Sequence, residues 1–282
     1  MKKLKSSFPS GRYILIVVIL LVLVAIYAAA RLMQVDIPED PKKISVVVEN
    51  SGSERWNQYM AGIDQAASDK NVVVSNVMTS YFSDEDDLDD LVTSEYLNGA
   101  NVVITNTSPD TKEVANILME EINLEYGGFV SGRTVAFLLG GEYDSFTGDV
   151  ADQMSHQITN AGGEVIWMKN APCNVSSILR KSVRPDIIVA LDDDLLCQAA
   201  AYLTKRKGEN SRLLGFGCSA NAVCYLDRGA IDALLVPDDF TLGYESLLAA
   251  CDSGNVSKIV PRVKLVHPDE VYVKENEKLL FP

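Results

Sequence analysis

The feature that most constrains the fold is a regular alternation of strand-like and helix-like segments after residue 42. Short apolar runs recur there without the in-and-out alternation of a half-exposed sheet. These runs cover residues 44–48, 72–77, 101–104, 134–139, 165–167, 187–191, 213–216 and 233–236. Amphipathic helical patterns separate them. The sequence therefore predicts an α/β fold whose parallel sheets carry helices on both faces.

Length adds a second constraint. The chain has 282 residues, and the alternating pattern occupies about 240 of them, more than an average single domain needs. Strand and helix signals fall into two successive groups along this stretch. We therefore expect two lobes.

An apolar segment precedes the alternating region. Residues 13–30 are eighteen consecutive apolar residues, which as a helix span about 27 Å, close to the hydrocarbon thickness of a bilayer. The flank before them carries four basic residues and no acid, which predicts a cytoplasmic N-terminus and an extracytoplasmic remainder. A cleaved signal peptide is the alternative, because residues 28–30 are three alanines.

This pattern gives the first two segments of the chain. Residues 1–31 are predicted to form a cytoplasmic tail and a transmembrane anchor. Residues 32–42, with Pro38 and Pro41, are predicted to form a stalk. The protein is then a single-pass protein of the cell membrane.

Charge excludes one class of partner. After residue 31 the chain carries 20 basic and 39 acidic side chains, a net charge of −19. Nucleic-acid phosphates are repelled by such a field. We therefore expect no nucleic-acid partner.

Motifs for catalysis, metals and cofactors are scarce. The five cysteines are scattered without a CxxC pair, and only two histidines are present. Nucleotide-binding glycine motifs and paired nucleophile–base motifs are not found in the sequence. We therefore predict a protein that is not an enzyme, with no catalytic residue, no metal site and no cofactor.

Polar and aromatic residues follow the predicted strands, where ligands bind in open α/β sheets. The candidate ligand-binding residues are Glu49, Asn50, Ser51, Trp56, Asp144, Phe146, Asp192, Asp193, Asp238 and Phe240. Carboxylates accept hydrogen bonds from hydroxyl groups, and rings cover the apolar face of a small polar ligand such as a sugar. Two structural alternatives stay open: residues 192–194 cap the helix that starts near Leu195, and Trp56 anchors the core.

Several segments resemble a known family. Residues 43–49, Arg55-Trp56 and residues 62–67 resemble the opening of a type I periplasmic-binding protein of the ribose-binding, sugar-binding type. Residues 131–141 resemble that family's entry into its second lobe, and residues 187–194 are similar to its strand ending in Asn/Asp-Asp. Residues 213–217, 225–229, 239–244 and the ending 272–282 resemble a membrane-associated bacterial subgroup.

The resemblance implies two lobes joined by three crossovers, near Gly132, Pro237 and Pro261. Lobe 1 would comprise residues 43–131 and 238–261, and lobe 2 residues 132–237 and 262–282. The ligand would lie in the cleft between the lobes, which close by hinge bending.

The sequence departs from the family pattern at three places. The family's Asp-Arg pair follows a fourth strand of lobe 1, and too little chain separates Ile104 from Thr134 for that strand and its helices. The stretch 143–146 replaces an expected arginine, and Gly217 replaces an expected aspartate. A site that loses arginine and keeps acids disfavours sugar acids. Three alternatives stay open: a cationic ligand, a neutral ligand, or no ligand at all.

Two functions follow. The first is a membrane-tethered extracytoplasmic solute-binding protein that serves an ABC permease or a sensor kinase. The second is a degenerate binding-protein fold acting as a protein-interaction or regulatory subunit of an envelope sensor.

Overall fold

In the computed structural model of the protein, the chain divides into two units, Met1–Pro41 and Lys42–Pro282. The structure describes residues 15–16, 18–24, 43–49, 54–79, 85–105, 108–125, 130–141, 145–205, 211–253 and 259–281. Within the second unit, the described residues form two β-sheets flanked by helices.

In the first unit, the described residues 15–16 and 18–24 are helical and all apolar. Each of these nine side chains is 51–62% exposed. Among the residues that the structure describes, no helix is both long enough and apolar enough to cross a bilayer. The predicted tail, the stalk and the rest of the predicted span 13–30 lie outside the described residues.

The first sheet contains three described strands in the order β2-β1-β3, all parallel. They are β1 (Lys43–Glu49), β2 (Val73–Thr79) and β3 (Val102–Thr105). Ile44, Val46 and Val48 point to one face of β1 and Val47 to the other, and all four are fully buried. The uniformly apolar run of β1 is explained by this burial on both faces.

The second sheet contains six described strands in the order β5-β4-β6-β7-β8-β9. They are β4 (Thr134–Leu139), β5 (Glu164–Asn170), β6 (Ile187–Ala190), β7 (Arg212–Phe216), β8 (Ala233–Pro237) and β9 (Val263–Val266). The strands β4 to β8 are parallel, and β9 pairs antiparallel with β8. The eight predicted strands are confirmed within a few residues, and β9 is a ninth that the sequence pattern misses.

Helices cover both sheets. They are α1 (Glu54–Lys70), α2 (Glu85–Leu97), α3 (Thr111–Glu125), α4 (Ser145–Asn160), α5 (Val175–Lys181), α6 (Asp193–Thr204), α7 (Ala220–Asp227), α8 (Asp239–Ser253) and α9 (Lys274–Leu280). On the first sheet, α1 and α8 pack on one face and α2 on the other. On the second sheet, α3 and α4 pack on one face, and α5, α6, α7 and α9 on the other. The predicted α/β class with mainly parallel sheets is confirmed.

The helix α3 packs on the second sheet, although it directly follows the last described strand of the first. Between β3 and β4, the described residues form no element other than α3. Its buried side chains, including Leu118 and Ile122, pack against the second sheet. The helix lies within the range 43–131 predicted for lobe 1, so on packing grounds the chain passes to the second sheet before Thr111 rather than near Gly132. The other lobe boundaries stay a prediction.

Two glycines bring α1 and α8 into backbone contact. A Cβ atom at Gly62 would lie 2.1 Å from the carbonyl oxygen of Phe240, and one at Gly243 would lie 2.1 Å from that of Tyr59. Real side chains do not reach such distances, so only glycine allows the two helices to approach this closely. Because α1 starts after β1 and α8 starts after β8, this packing fixes the starts of both helices side by side.

We predict that Gly62→Ala destabilises the fold by about 3 kcal/mol, because the added methyl group forces the two helix backbones apart. The matched control is Gly148→Ala in α4, where an added Cβ meets nothing within 4 Å. That control should be neutral or slightly stabilising, by up to about 1 kcal/mol, since alanine favours helix over glycine. Urea unfolding of both variants measures the two changes. Equal effects of the two substitutions would contradict the close approach of α1 and α8.

Candidate functional site

The starts of α1 and α8 place a buried ion pair beside the ends of the strands. Arg55 donates from Nε to Asp239 Oδ2 at 2.7 Å and from Nη2 to Asp239 Oδ1 at 2.9 Å. The Asp239 side chain is 3% exposed and that of Arg55 is 29% exposed. A carboxylate this buried requires a partner, and the fork of a guanidinium satisfies both of its oxygens.

An aromatic pair from the second sheet meets this ion pair. The guanidinium carbon of Arg55 lies 5.4 Å from the centroid of the Phe216 ring, which is within the range of a cation–π interaction. The ring of Phe146, at the start of α4, lies 5.2 Å from that of Phe216 at an interplanar angle of 51°. Since Arg55 lies at the start of α1, which follows β1, and Phe216 ends β7, this contact joins an element of the first sheet to the second sheet.

Asp193 connects two neighbouring strand ends of the second sheet. Its Oδ2 accepts hydrogen bonds from the backbone N–H groups of Cys218 at 3.0 Å and Ser219 at 2.9 Å. Its Oδ1 accepts a third from the Ser219 hydroxyl at 2.7 Å. The carboxylate thus joins the start of α6, after β6, to the segment after β7. Three donors from the chain itself indicate a structural role for this predicted ligand-binding residue.

Gly217 explains one departure from the family pattern. A Cβ atom at this position would lie 2.7 Å from the carboxyl carbon of Asp193. The Asp193 carboxylate therefore takes the space that a side chain at position 217 would need. An aspartate at 217 and the observed position of Asp193 exclude one another.

Two further predicted aspartates, Asp192 and Asp238, make local hydrogen bonds. Asp192 is the N-cap of α6, and its Oδ1 accepts from the Leu195 backbone N–H at 2.8 Å. Asp238 Oδ1 accepts from the Thr241 N–H at 3.1 Å at the start of α8. The capping alternative stated for residues 192–194 is therefore confirmed for Asp192.

The predicted aromatic residues separate into two groups. Trp56 stacks on Tyr59, with ring centroids 6.3 Å apart, and packs against the core of the first sheet. This agrees with the alternative that Trp56 anchors the core. Phe240 is half-buried, and its carbonyl faces Gly62. Only Phe146 joins the aromatic pair at the strand ends.

The side chains of four predicted residues lie outside the described part of the structure. Glu49 ends β1 opposite Thr79, and its side chain lies outside the described part of the chain. Asn50, Ser51 and Asp144 also lie outside the described residues. No group of three or more metal-ligating side chains occurs among the residues that the structure describes.

Sequence reasoning missed Arg55, Asp239 and Phe216 as members of the site. Arg55 stands beside Trp56 and Asp239 beside Asp238, so each adjacent residue was chosen instead. Neighbouring residues in a helix point in directions about 100° apart. The sequence does not show which of the two faces the site, because the exact start of the helix is not known from it. Phe216 gave no signal beyond its place at the end of a strand.

The two thiols near the site are held in the protonated form. Burial, with the Asp193 carboxylate beside it, raises the pKa of Cys197 to about 11. Burial raises the pKa of Cys218 further, and the carboxylates of Asp239 and Asp193 add to the shift. Because only the thiolate is a good nucleophile, neither cysteine is activated for catalysis at neutral pH.

Solved structures share the fold of this chain. A carbohydrate-transporter solute-binding protein from Agrobacterium radiobacter, solved with D-arabinose, matches with a TM-score of 0.70 at 14% identity, covering 85% of this chain and 99% of that chain. XylFII in its complex with LytSN matches with a TM-score of 0.68 at 15% identity, covering 83% and 100%. GanP, a glucose-galactose binding protein from Geobacillus stearothermophilus, matches with a TM-score of 0.67 at 12% identity, covering 83% and 100%.

These structural neighbours are solute-binding proteins of the type I periplasmic-binding fold, which confirms the fold that the resemblance implied. No protein-family model matches the chain. No curated protein matches it significantly.

We predict that Asp193→Asn lowers the free energy of unfolding by about 2–3 kcal/mol, because the amide cannot accept from all three donors. The matched control is Asp194→Asn, which changes an exposed carboxylate one residue along in the first turn of α6. Its cost should stay below about 1 kcal/mol, the usual size of a helix-dipole term. Urea unfolding compares the two. An Asp193→Asn protein of unchanged stability would restore Asp193 as a candidate ligand contact.

Proposed function

We propose that the domain formed by residues 43–282 binds a small polar ligand of the sugar class between its two sheets. The observation that carries the proposal is the meeting of Arg55, from the first sheet's helices, with Phe216, at a strand end of the second. Strand ends that face one another create a recess of the kind in which open α/β folds bind ligands. The solved structures with this fold support it, since one holds D-arabinose and another is a glucose-galactose binding protein.

The chemistry of the recess favours a neutral ligand. The half-buried ring of Phe146, which packs against Phe216, suits the apolar face of a sugar ring. The guanidinium of Arg55 is paired with Asp239, so its charge is already compensated. The net charge of −19 after residue 31 repels anions such as sugar acids.

The function is binding rather than catalysis. The nearby thiols of Cys197 and Cys218 have raised pKa values, and the carboxylate of Asp193 is engaged by backbone donors. The structural neighbours are binding proteins as well.

The domain is tethered outside the cell membrane by residues 13–30, with the N-terminus in the cytoplasm. Eighteen consecutive apolar residues after a basic flank support this arrangement. A tether keeps the domain close to a membrane partner and so raises its effective concentration. That partner is an ABC permease or a sensor kinase. Support comes from the carbohydrate-transporter neighbour and from XylFII, which was solved in a complex with LytSN.

Two features of the described structure favour a second function, in protein interaction. The described first sheet has three strands, and α3 alone stands between β3 and β4 in the described chain. Asp193, Asp192 and Asp238 bond to their own chain. Both features fit a degenerate binding fold that serves as a protein-interaction subunit of an envelope sensor.

We predict that neutral sugars stabilise the full-length chain in detergent micelles. A panel of arabinose, ribose, xylose, glucose and galactose is compared with glucuronate and galacturonate, which match the hexoses in shape but carry a charge. At a concentration one hundred times its dissociation constant, a bound sugar raises the free energy of unfolding by about 2.7 kcal/mol. Thermal unfolding measures the shift. No stabilisation by any neutral sugar at millimolar levels contradicts the proposal and favours the protein-interaction function.

We predict that alkaline phosphatase fused after Pro282 is active in bacterial cells, because this enzyme folds only outside the cytoplasm. The control is the same fusion without residues 13–30, which should be inactive and recovered from the soluble fraction. Phosphatase activity and membrane fractionation give the two readouts. An inactive full-length fusion would place the domain inside the cell and end the tether proposal.

A further inference from the structure

Arg55 belongs to the helices of the first sheet, yet its guanidinium contacts a ring of the second. The bidentate pair with Asp239, at 2.7 and 2.9 Å, fixes the plane of the guanidinium. With the guanidinium held in this way, its carbon lies 5.4 Å from the centroid of the Phe216 ring. Close cation–ring contacts of this kind are attractive because the ring face carries negative potential.

A second ring packs against Phe216. The centroid of Phe146 lies 5.2 Å from that of Phe216, which belongs to the buried core of the second sheet, and Phe146 is partly buried against that core. Phe216 itself is only 4% exposed. The ring is therefore part of a rigid surface that Arg55 meets, rather than a mobile side chain that follows it.

The ion pair lies next to the connections between the sheets. Asp239 is two residues beyond Pro237, where β8 ends and the chain leaves the second sheet. The backbone N–H of Asp238 donates to the carbonyl of Arg262 at 2.8 Å, which pairs this connection with the one that enters β9. A rotation of one half of the domain against the other would take place at these paired connections.

Such a rotation spares the ion pair and breaks the ring contact. Arg55 and Asp239 move together, because α1 and α8 are in backbone contact at Gly62 and Gly243. Phe216 moves with the second sheet. The Arg55–Phe216 contact is thus made in the closed arrangement and lost in an open one.

We propose that Arg55 is a latch that keeps the two halves of the domain closed without any ligand. Asp239 orients the Arg55 guanidinium through two hydrogen bonds, and the Phe216 ring is the contact of that guanidinium on the second sheet. Opening leaves the Phe216 ring exposed to water and the guanidinium without its aromatic partner, so the closed arrangement is favoured. The latch goes beyond the proposed function, because no ligand takes part in it.

The test measures the distance between the halves in the ligand-free, full-length protein. Fluorophores are attached through noncanonical amino acids at Asp64 in α1 and Asp152 in α4, both exposed, which leaves the native cysteines unlabelled. Single-molecule energy transfer should show one short distance for the wild-type chain. Phe216→Leu keeps apolar bulk but removes the ring face, and should raise the ratio of open to closed molecules about tenfold.

The matched control is Phe137→Leu. Phe137 is fully buried in β4 of the same core and is not the ring that Arg55 contacts. It should leave the distance distribution unchanged. A wild-type chain that is mainly open, or a Phe216→Leu chain indistinguishable from Phe137→Leu, overturns the latch. Neither result depends on whether a sugar binds.

A chemical rescue separates the latch from a merely structural arginine. Arg55→Ala should open the domain, and N-ethylguanidinium, which replaces the missing atoms, should restore the short distance. Ethylammonium, with the same charge but no planar fork, should not. Rescue by both cations, or by neither, contradicts the proposal, and the Phe216 comparison decides the case if the Arg55→Ala chain does not fold.

Discussion

The buried carboxylate of Asp239 is the constraint around which the rest of this structure is arranged. An ionised group that is 3% exposed costs several kcal/mol unless a cation and hydrogen bonds compensate it. Arg55 supplies both, but only because α1 and α8 lie side by side with glycine at their crossing. The ion pair therefore depends on the packing of two helices that are far apart in sequence.

Arg55 also contacts the second sheet. Arg55 projects from the helix that follows β1, and Phe216 ends β7, so their contact joins the start of α1 to a strand end of the second sheet. Asp193 provides a comparable link inside the second sheet, between the segments that follow β6 and β7. Asp193 and Asp239 thus bond to groups of the chain itself, and Phe146 and Phe216 form an aromatic pair beside them.

Much of the fold can be predicted from the sequence, because a strand that is buried on both faces is an uninterrupted apolar segment. The runs at 44–48 and 187–191 are uninterrupted apolar segments, and both are central strands. The strand β9 leaves no such trace, since it is a four-residue edge strand containing Lys264 and is only partly buried. The sequence pattern also does not show in which direction a single side chain points. It therefore does not distinguish Asp239 from Asp238, or Arg55 from Trp56. The role of Asp193 depends on donors from Cys218 and Ser219, which become neighbours only when β6 and β7 pair.

The Arg55–Asp239 pair holds the starts of α1 and α8 together, and a double-mutant cycle measures its contribution directly. Arg55→Met and Asp239→Asn are made singly and together, and the free energy of unfolding of each chain is taken from urea titrations. Removing one partner of a buried pair costs about 3–5 kcal/mol, and removing both should cost about 2 kcal/mol less than the sum of the single changes. Additive effects, with a coupling below about 0.5 kcal/mol, would contradict the account.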